Sequence, residues 1–475
     1  MPALRVHVPA AAHPSWDDLR TELGVAVDFP PAALAEAQAA AAAAPADLPG
    51  GPRDDLTALP FLTVDPTGSL DLDQAMCLER SGTGFRVRYA IADVAAFVPP
   101  GGALDAETHR RAETSYFPDL RVPLHPPVLS EGAASLLEGQ VRPAVVWDLA
   151  LDGTGALQRT EVRRALVRSQ RRLDYPTVQR ALVDGSADGG LQLLREVGRL
   201  RQALARERDA VDLPTPEQEV TDGPDGRPCL SYRAPLPAEG WNAQISLLTG
   251  MAAADLMLAG RVGLLRTLPP PDPGSVASLR RSALALGIAW PEKTPYGDVV
   301  SGLDPAQPAA AALLTLATRL LRGAAYTAFD GSVPEQPLHS AVAAAYAHCT
   351  APLRRLADRY VNEVCLALCA GVDVPAWARA ALPALPDEMA AGDRRAHEID
   401  RAIVDLAEAL VLAPRVGDEF DAVVVESGSK GGVVQLAEPA VRARCGGADL
   451  PLGRSIRVRL DTADPGKRTV LFSPA

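Results

Sequence analysis

The chain has 475 residues, of which 47% are hydrophobic and 22% charged, with a net charge of −12. This is ordinary globular usage, enough for one large catalytic-size domain with one or two small neighbours, and it excludes a peptide, a single small module and a disordered chain. The acidic balance excludes indiscriminate coating of nucleic acid, which needs clustered cations, but leaves room for a local basic channel.

From Met1 to Asp18 there is no apolar signal-peptide core, and no run of about 18 uninterrupted apolar residues follows, so a cytoplasmic protein without membrane association is expected. Ser15 is placed to cap a short helix, WDDLRTEL, that ends at Gly24. Pro31 to Ala44 reads as a second helix set between prolines, followed by the linker PADLPGGPRDD. Residues 1–58 thus form a short helical appendage, helix-turn-helix-like at most, ahead of a catalytic domain over 59–412. Leu59 to Asp65 predicts a buried strand and Phe85 to Ala92 an alternating one. Glu161 to Asp212 reads as mostly helical and Arg-rich, PPPDPG at 269–274 as a loop, and Ala309 to Ala325 and Pro352 to Ala370 as helices, the latter stopped by Gly371. Asp387 to Leu412 predicts one more helix, with Ile399, Ile403, Leu406 and Leu410 along one face. Residues 413–475 change texture to the short alternating strands DAVVVE, GVVQL, VRARC and SIRVRL, the pattern of a small OB-type barrel with Arg442, Arg444, Arg457 and Arg459 on its outer face. The fold class expected is α+β. The six cysteines are scattered without a CxxC pair or a His cluster, which excludes a disulfide framework and a structural zinc site.

Two segments carry chemistry. In VDPTGSLDLDQA, 64–75, Asp65 ends an apolar strand, and an extended backbone would point Asp71 and Asp73 to one face with Leu72 behind. Three hard oxygen donors on one loop suit magnesium or manganese; the bland alternative is a solvated acidic turn, and an EF-hand does not fit the Gly position. In YAHCTAPLRRLADRY, 346–360, Thr350 can cap a helix with Pro352 in its first turn. Arg354 and Arg355 then lie near a helix N-terminus, where an anion such as phosphate would justify them; pairing with Asp358 is the equal alternative.

With these residues in view, the chain resembles the ribonuclease II and ribonuclease R exonucleases, the RNB family. The resemblance runs in order through FPPAALAEAQA, LPFLTVDPTGSLDLDQA, YAIADVAAFV, TSYFPDLRVPLHPPVLSEGAASLL, HCTAPLRRLAD and the acidic helix near Glu398. It implies a large mixed RNB catalytic domain followed by an OB-fold RNA-binding barrel, and a magnesium-dependent hydrolase trimming single-stranded RNA from its 3′ end to nucleoside 5′-monophosphates. A monomer is expected. Asp65, Asp71 and Asp73 match three of the family's four metal-site aspartates, and Gln74 stands at the fourth. A neutral amide is the weaker ligand, so an aspartate there is expected to lower the magnesium requirement. Arg354 matches the family's active-site arginine, with Arg355 beside it as a further phosphate contact, and Glu398 a supporting glutamate. Tyr116 matches a tyrosine packing near the 3′-terminal nucleotide and Tyr175 one approaching the ribose 2′-OH, while Leu213 falls where the family has an aromatic base clamp. The family's paired glutamates near Asn242 have become ISLLTG. Arg163, Arg164, Arg168, Arg171 and Arg172 are candidate channel cations, and the short helical appendage is expected to stand where relatives carry two cold-shock barrels. Gln74 and the missing glutamates also motivate a second reading, an RNA-binding pseudo-nuclease.

Overall fold

The computed structural model describes residues 16–214, 217–222 and 228–475; the expected cap Ser15 lies outside the described residues. Helices α1 (Trp16–Glu22) and α2 (Pro31–Ala42) are held by separate parts of the main body. Trp16 and Leu19 of α1 are buried with Phe117, Val122, Ile399, Ile403 and Leu406. Ala33 and Ala37 of α2 join a different cluster, and its Glu36 accepts hydrogen bonds from the Ala103 and Leu104 N–H groups at 2.9 and 2.8 Å. The pair is therefore not a helix-turn-helix unit closed on its own core.

The central sheet contains β1 (Asp54–Asp55), β2 (Phe61–Asp65), β3 (Gln74–Ser81) and β4 (Gly84–Ala92). Helix α3 (Ala103–Arg111) and a small hairpin of β5 (Ser115–Tyr116) and β6 (Arg121–Val122) precede β7 (Val141–Leu151) and the long β8 (Leu157–Asp174). The order is β1-β8-β2-β3-β4-β7, and β8 also pairs with β7, so the sheet curls back on itself. The helical reading of Glu161 to Asp212 is corrected in its first quarter: the chain stays a strand to Asp174, and only then form α4 (Tyr175–Asp184) and α5 (Gly189–Glu207). Arginine favours helices locally, but Ala165, Val167 and Ser169 turn inward at a spacing of two and the ladder to β7 overrides propensity. Asp174 then stops the strand and starts the helix, its carboxylate accepting from the Thr177 N–H at 2.9 Å.

A hairpin, β9 (Glu217–Asp222) and β10 (Pro228–Arg233), leads to α6 (Pro237–Gly260) and β11 (Val262–Thr267). Helix α6 is long and apolar enough to cross a membrane, but here it packs against α5 with Ile245, Leu248, Ala252 and Met257 buried in the main core. Helices α7 (Pro273–Ala285), α8 (Tyr296–Ser301) and α9 (Pro308–Ala317) follow, then β12 (Ala325–Asp330), β13 (Leu338–His339) and β14 (Ala344–Ala345). The helix expected to reach Ala325 ends as a short 3-10 turn at Leu321, and Gly323, at φ +95°, swings the chain into β12. Helix α10 (Leu356–Ala370) ends at Gly371 in the left-handed conformation, as expected, but starts four residues later than Pro352.

After α11 (Ala376–Ala381) comes α12 (Leu385–Leu412), whose 28 residues span about 42 Å. It joins three cores: Leu385 and Met389 enter the main one, Ile399, Ile403 and Leu406 the α1 cluster, and Ala407, Ala409 and Leu412 the C-terminal one. That last core is a closed five-stranded barrel of β15 (Glu419–Gly428), β16 (Gly431–Leu436), β17 (Arg442–Cys445), β18 (Ser455–Asp464) and β19 (Thr469–Pro474), in the order β15-β16-β17-β19-β18. The four foreseen strands form, and β19 closes them by burying Val470 and Phe472.

Glu408 of α12 is buried where helix, hairpin and barrel meet, accepting from the Arg442 N–H and from Gln218 Nε2, both at 2.9 Å. Burial pushes its carboxyl up to about 7, against those hydrogen bonds. A carboxyl raised above its unfolded value favours folding at low pH, and that contribution is lost as pH rises through about 7. Glu408→Gln keeps the acceptor oxygen and removes the charge. It should match the natural protein in thermal unfolding at about pH 4, below the unfolded carboxyl value, and exceed it by about 1 to 3 kcal/mol at pH 8; equal stabilities at pH 8 would contradict this account.

Candidate active site

The acidic segment is built as its alternation predicts. Leu72 is fully buried, its N–H donating to Ser135 Oγ at 2.9 Å and its carbonyl accepting from the Leu136 N–H, while Asp71 and Asp73 flank it at 9% and 1% exposure. Both oxygens of Asp73 are engaged by one turn: Oδ1 accepts from the Leu353 N–H at 2.7 Å and Oδ2 from Arg354 Nε at 2.6 Å. Burial pushes the Asp73 carboxyl up to about 7, with Arg354 pulling the other way and the Asp71 charge adding to the rise. Burial works against the Arg354 charge, but Asp73, Tyr116 and Asp71 outweigh it and hold the guanidinium protonated.

Arg354 and Arg355 precede α10 instead of lying in its first turn. The N–H groups that were to bind phosphate already have acceptors: Ala351 N–H donates to Asp358 Oδ1 at 2.7 Å, Leu353 N–H to Asp73, and Leu356 N–H to the Ala112 carbonyl at 2.9 Å. The anions docked at this turn are the protein's own carboxylates. Arg355 forks onto Asp358 at 2.8 and 2.9 Å, the alternative left open for it, and of the two arginines it is Arg354 that faces the acidic pair. Tyr116 brings its hydroxyl to Arg354, and burial raises its pKa.

A second group forms at the end of β2. The β2–β8 register sets Asp65 opposite Asp174, so Tyr175, the next residue, stands beside Asp65. Asn242 Nδ2 donates to the Tyr175 hydroxyl at 3.0 Å, and burial with the Asp65 charge pushes that phenol up to about 12. Thr67 Oγ1 donates to Asp174 at 2.9 Å, fastening the loop between Asp65 and Asp71. Gln74 has a different employment from the one expected. Its Oε1 accepts from the Tyr89 hydroxyl at 2.7 Å and its Nε2 donates to the Thr350 carbonyl at 2.6 Å, so the amide is a strut from β3 to the arginine turn. Tyr89 in turn meets Ser246 Oγ at 2.9 Å.

Other candidates lie elsewhere. Leu213 packs against the apolar cluster of α7 to α9. Glu398 is exposed on α12, lining a cavity of about 1050 Å³ with Arg322, Arg394, Arg401 and Arg468. Of the channel cations, Arg164 pairs with Asp93 and Glu363, Arg163 with Asp54 and Asp148, and Arg171 with Asp188, leaving Arg168 and Arg172 as the exposed pair of that cluster. On the barrel, Arg442, Arg444, Arg457 and Arg459 all face outward; Arg457 pairs with Glu419 and Asp421 at 3.3 and 3.1 Å and Arg442 reaches Glu426 at 3.5 Å. The residue that sequence reasoning missed is Arg121, which pairs with Asp71 and donates to Glu131 at 2.6 Å. Its one signal is position: it lies across the β5–β6 ladder from Tyr116.

The comparisons with known proteins agree with this architecture. The RNB domain matches residues 53–370, and the RNase II-type exonuclease C-terminal S1 domain matches residues 418–475. The chain is 26% identical to Vibrio cholerae ribonuclease R over 425 residues, 81% of this chain and 50% of that protein. It is 38% identical to Aeromonas hydrophila exoribonuclease 2 over 143 residues, 28% of this chain and 21% of that protein. It thus spans half or less of the curated relatives it matches. Among solved structures, Mycoplasma genitalium ribonuclease R in complex with ribose-methylated single-stranded RNA superimposes with a TM-score of 0.86 at 20% identity, covering 97% of this chain and 77% of that one. A yeast pseudonuclease superimposes with a TM-score of 0.66 at 17% identity, covering 88% and 52%. At these identities the likeness concerns the fold. With the RNB domain matched over more than half of its length, the chain belongs to the RNB family.

Proposed function

We propose that the chain is a 3′-to-5′ exoribonuclease that trims single-stranded RNA to nucleoside 5′-monophosphates with magnesium, manganese being the alternative ion. The observation that carries this reading is the acidic pair Asp71 and Asp73 set against Arg354 and Tyr116, carboxylates for a hard cation beside a guanidinium for phosphate and a ring for a base. The ribonuclease R of Mycoplasma genitalium, solved with single-stranded RNA, supports the choice of ligand.

The donor set fits magnesium of the open kind. That ion is commonly held by one or two carboxylates together with substrate phosphates and water. Asp71 and Asp73 offer two, with Asp65 at the Tyr175 end; among the described residues no group of three His, Cys, Asp or Glu forms a closed cage. Bound there, such an ion would generate hydroxide from water and stabilise the leaving 3′ oxygen. Arg354, held protonated, offsets charge that develops on the scissile phosphate. Tyr116 supplies a stacking face for a terminal base. The Tyr175 hydroxyl already accepts from Asn242 and keeps its proton, so it can donate to a ribose 2′-OH and favour RNA over DNA.

RNA labelled at its 3′ or its 5′ end, incubated with the protein in magnesium or in chelator, tests the reading. Magnesium-dependent release of mononucleotides from the 3′ end is expected. Binding without cleavage would establish the pseudo-nuclease, which the strut role of Gln74 favours, and absence of RNA affinity would remove both.

Two substitutions sharpen the test. Asp73→Asn should lower trimming to roughly 1% of the natural rate or less while RNA binding stays within a few-fold. It should also lower stability by about 1 to 3 kcal/mol, because Leu353 and Arg354 use different oxygens of Asp73 and an amide puts a non-accepting NH2 in place of one of them. Loss of RNA binding in a folded Asp73→Asn protein would make Asp73 purely structural. For Gln74→Asp the hydrogen bonds of the amide support the opposite of the expectation from sequence: a carboxylate cannot donate to the Thr350 carbonyl, so the strut is lost. The variant should be about 1 to 3 kcal/mol less stable, with no reduction in magnesium requirement. A lower requirement at unchanged melting temperature would restore position 74 to the ion site.

A further inference from the structure

Arg121 divides its guanidinium between two acids. One Nη pairs with Asp71, the other donates to Glu131 Oε1 at 2.6 Å, and Nε is buried without a hydrogen-bond partner. A guanidinium committed to one carboxylate can fork onto it with two parallel bonds, as Arg355 does on Asp358. Arg121 forks onto neither acid.

Its backbone is fixed from outside. Arg20 of α1 donates through both Nη atoms to Asp119 at the tip of the hairpin, at 2.7 and 3.0 Å, and Phe117 and Val122 are buried against Trp16, Leu19 and Ile399. What remains adjustable is the side chain, with two seats within reach. The Asp71 seat is the one a divalent ion would need. The Glu131 seat lies farther out, at 27% side-chain exposure against 9% for Asp71.

The charges make the two occupants of Asp71 mutually exclusive. Arg354 already serves Asp73, so the acidic pair without an ion carries two arginines for two carboxylates, close to neutral. A divalent cation added beside Asp71 with Arg121 still seated there would meet direct like-charge repulsion in a partly buried site. Withdrawal of Arg121 to Glu131 relieves it without stranding a buried charge.

We propose that Arg121 is a positioning residue that competes with the divalent cation for Asp71, holding that carboxylate when no ion is bound and retiring to Glu131 when one arrives. The inference rests on the reading of Asp71 as an ion ligand. It predicts effects of opposite sign from two neighbouring substitutions. Removing Arg121 vacates Asp71 and strengthens ion binding. Neutralising Glu131 removes the second seat, keeps Arg121 on Asp71 and weakens ion binding. A merely structural role for this ion-pair triad would change melting temperature without producing opposite shifts in ion affinity.

The test is direct Mn²⁺ binding to the full chain without RNA, followed by the free-ion electron paramagnetic resonance signal, for the natural protein, Arg121→Gln and Glu131→Gln. Arg121→Gln should bind Mn²⁺ about fivefold more tightly or better, and Glu131→Gln about threefold more weakly or worse. Changes of the same sign, or no change in either variant, overturn the proposal. Should Arg121→Gln fail to fold, Glu131→Gln decides alone: weaker binding at an unchanged melting temperature supports the proposal and unchanged binding overturns it. A natural protein that trims RNA in magnesium while all three proteins bind Mn²⁺ alike overturns the competition and leaves the exonuclease reading standing. Absence of Mn²⁺ binding in all three proteins overturns the competition, while the exonuclease reading is decided separately by the labelled-RNA assay.

Discussion

Asp73 is 1% exposed, and its two carboxylate oxygens are spent on the Leu353 N–H and the Arg354 Nε of a single turn, 280 and 281 residues away in sequence. That contact welds the start of β3 to the segment that feeds α10. On one side of it hang Leu72 and the β3–β4–β7 sheet; on the other, the Thr114 N–H bonds the Arg354 carbonyl, which places the Tyr116 hairpin. Gln74, the next residue, repeats the weld through Thr350. A residue expected for chemistry alone is thus also what holds sheet and helix layer together, because a buried carboxylate left without both donors would carry its full desolvation cost.

The same demand for neutrality runs through the rest of the centre and thins the basic channel. Each buried acid near the site has an arginine: Asp71 has Arg121, Asp73 has Arg354, Asp358 has Arg355. The arginines of β8 follow the same rule: Arg164 answers Asp93 and Glu363. In a chain of net charge −12, several arginines are spent on such internal pairs. Among the exposed cations of the described residues are Arg168 and Arg172 of β8, the outer barrel residues Arg444 and Arg459, and Arg322, Arg394 and Arg401 along the α12 cavity.

What could be read from sequence was local. Prolines and glycines marked α2 and the end of α10, periodicity marked β4 and α12, and the spacing of Asp71 and Asp73 about buried Leu72 came out as the extended backbone requires. What could not be read was decided by distant partners. The Arg-rich segment of β8 looks helical until β7 offers a ladder, and α10 starts late because Thr350 to Arg355 is drawn into the Asp73 and Gln74 contacts. Gln74 looked like a weakened ligand because its chemical type was visible and its partner, 276 residues on, was not. Arg121 carried no signal beyond its position near Tyr116, since its role exists only once the hairpin sets it against Asp71.

The claim on which the account turns is that Asp73 and Arg354 act as one coupled unit in the resting protein. A double-substitution cycle measures it directly: denaturant unfolding of the natural chain, Asp73→Asn, Arg354→Gln and the double variant, without RNA or added ion. The account predicts a coupling energy of about 1 kcal/mol or more, the double variant losing clearly less than the sum of the single losses. Losses that add to within about 0.5 kcal/mol would contradict it, and would mean that the two side chains lie together in the site without holding it.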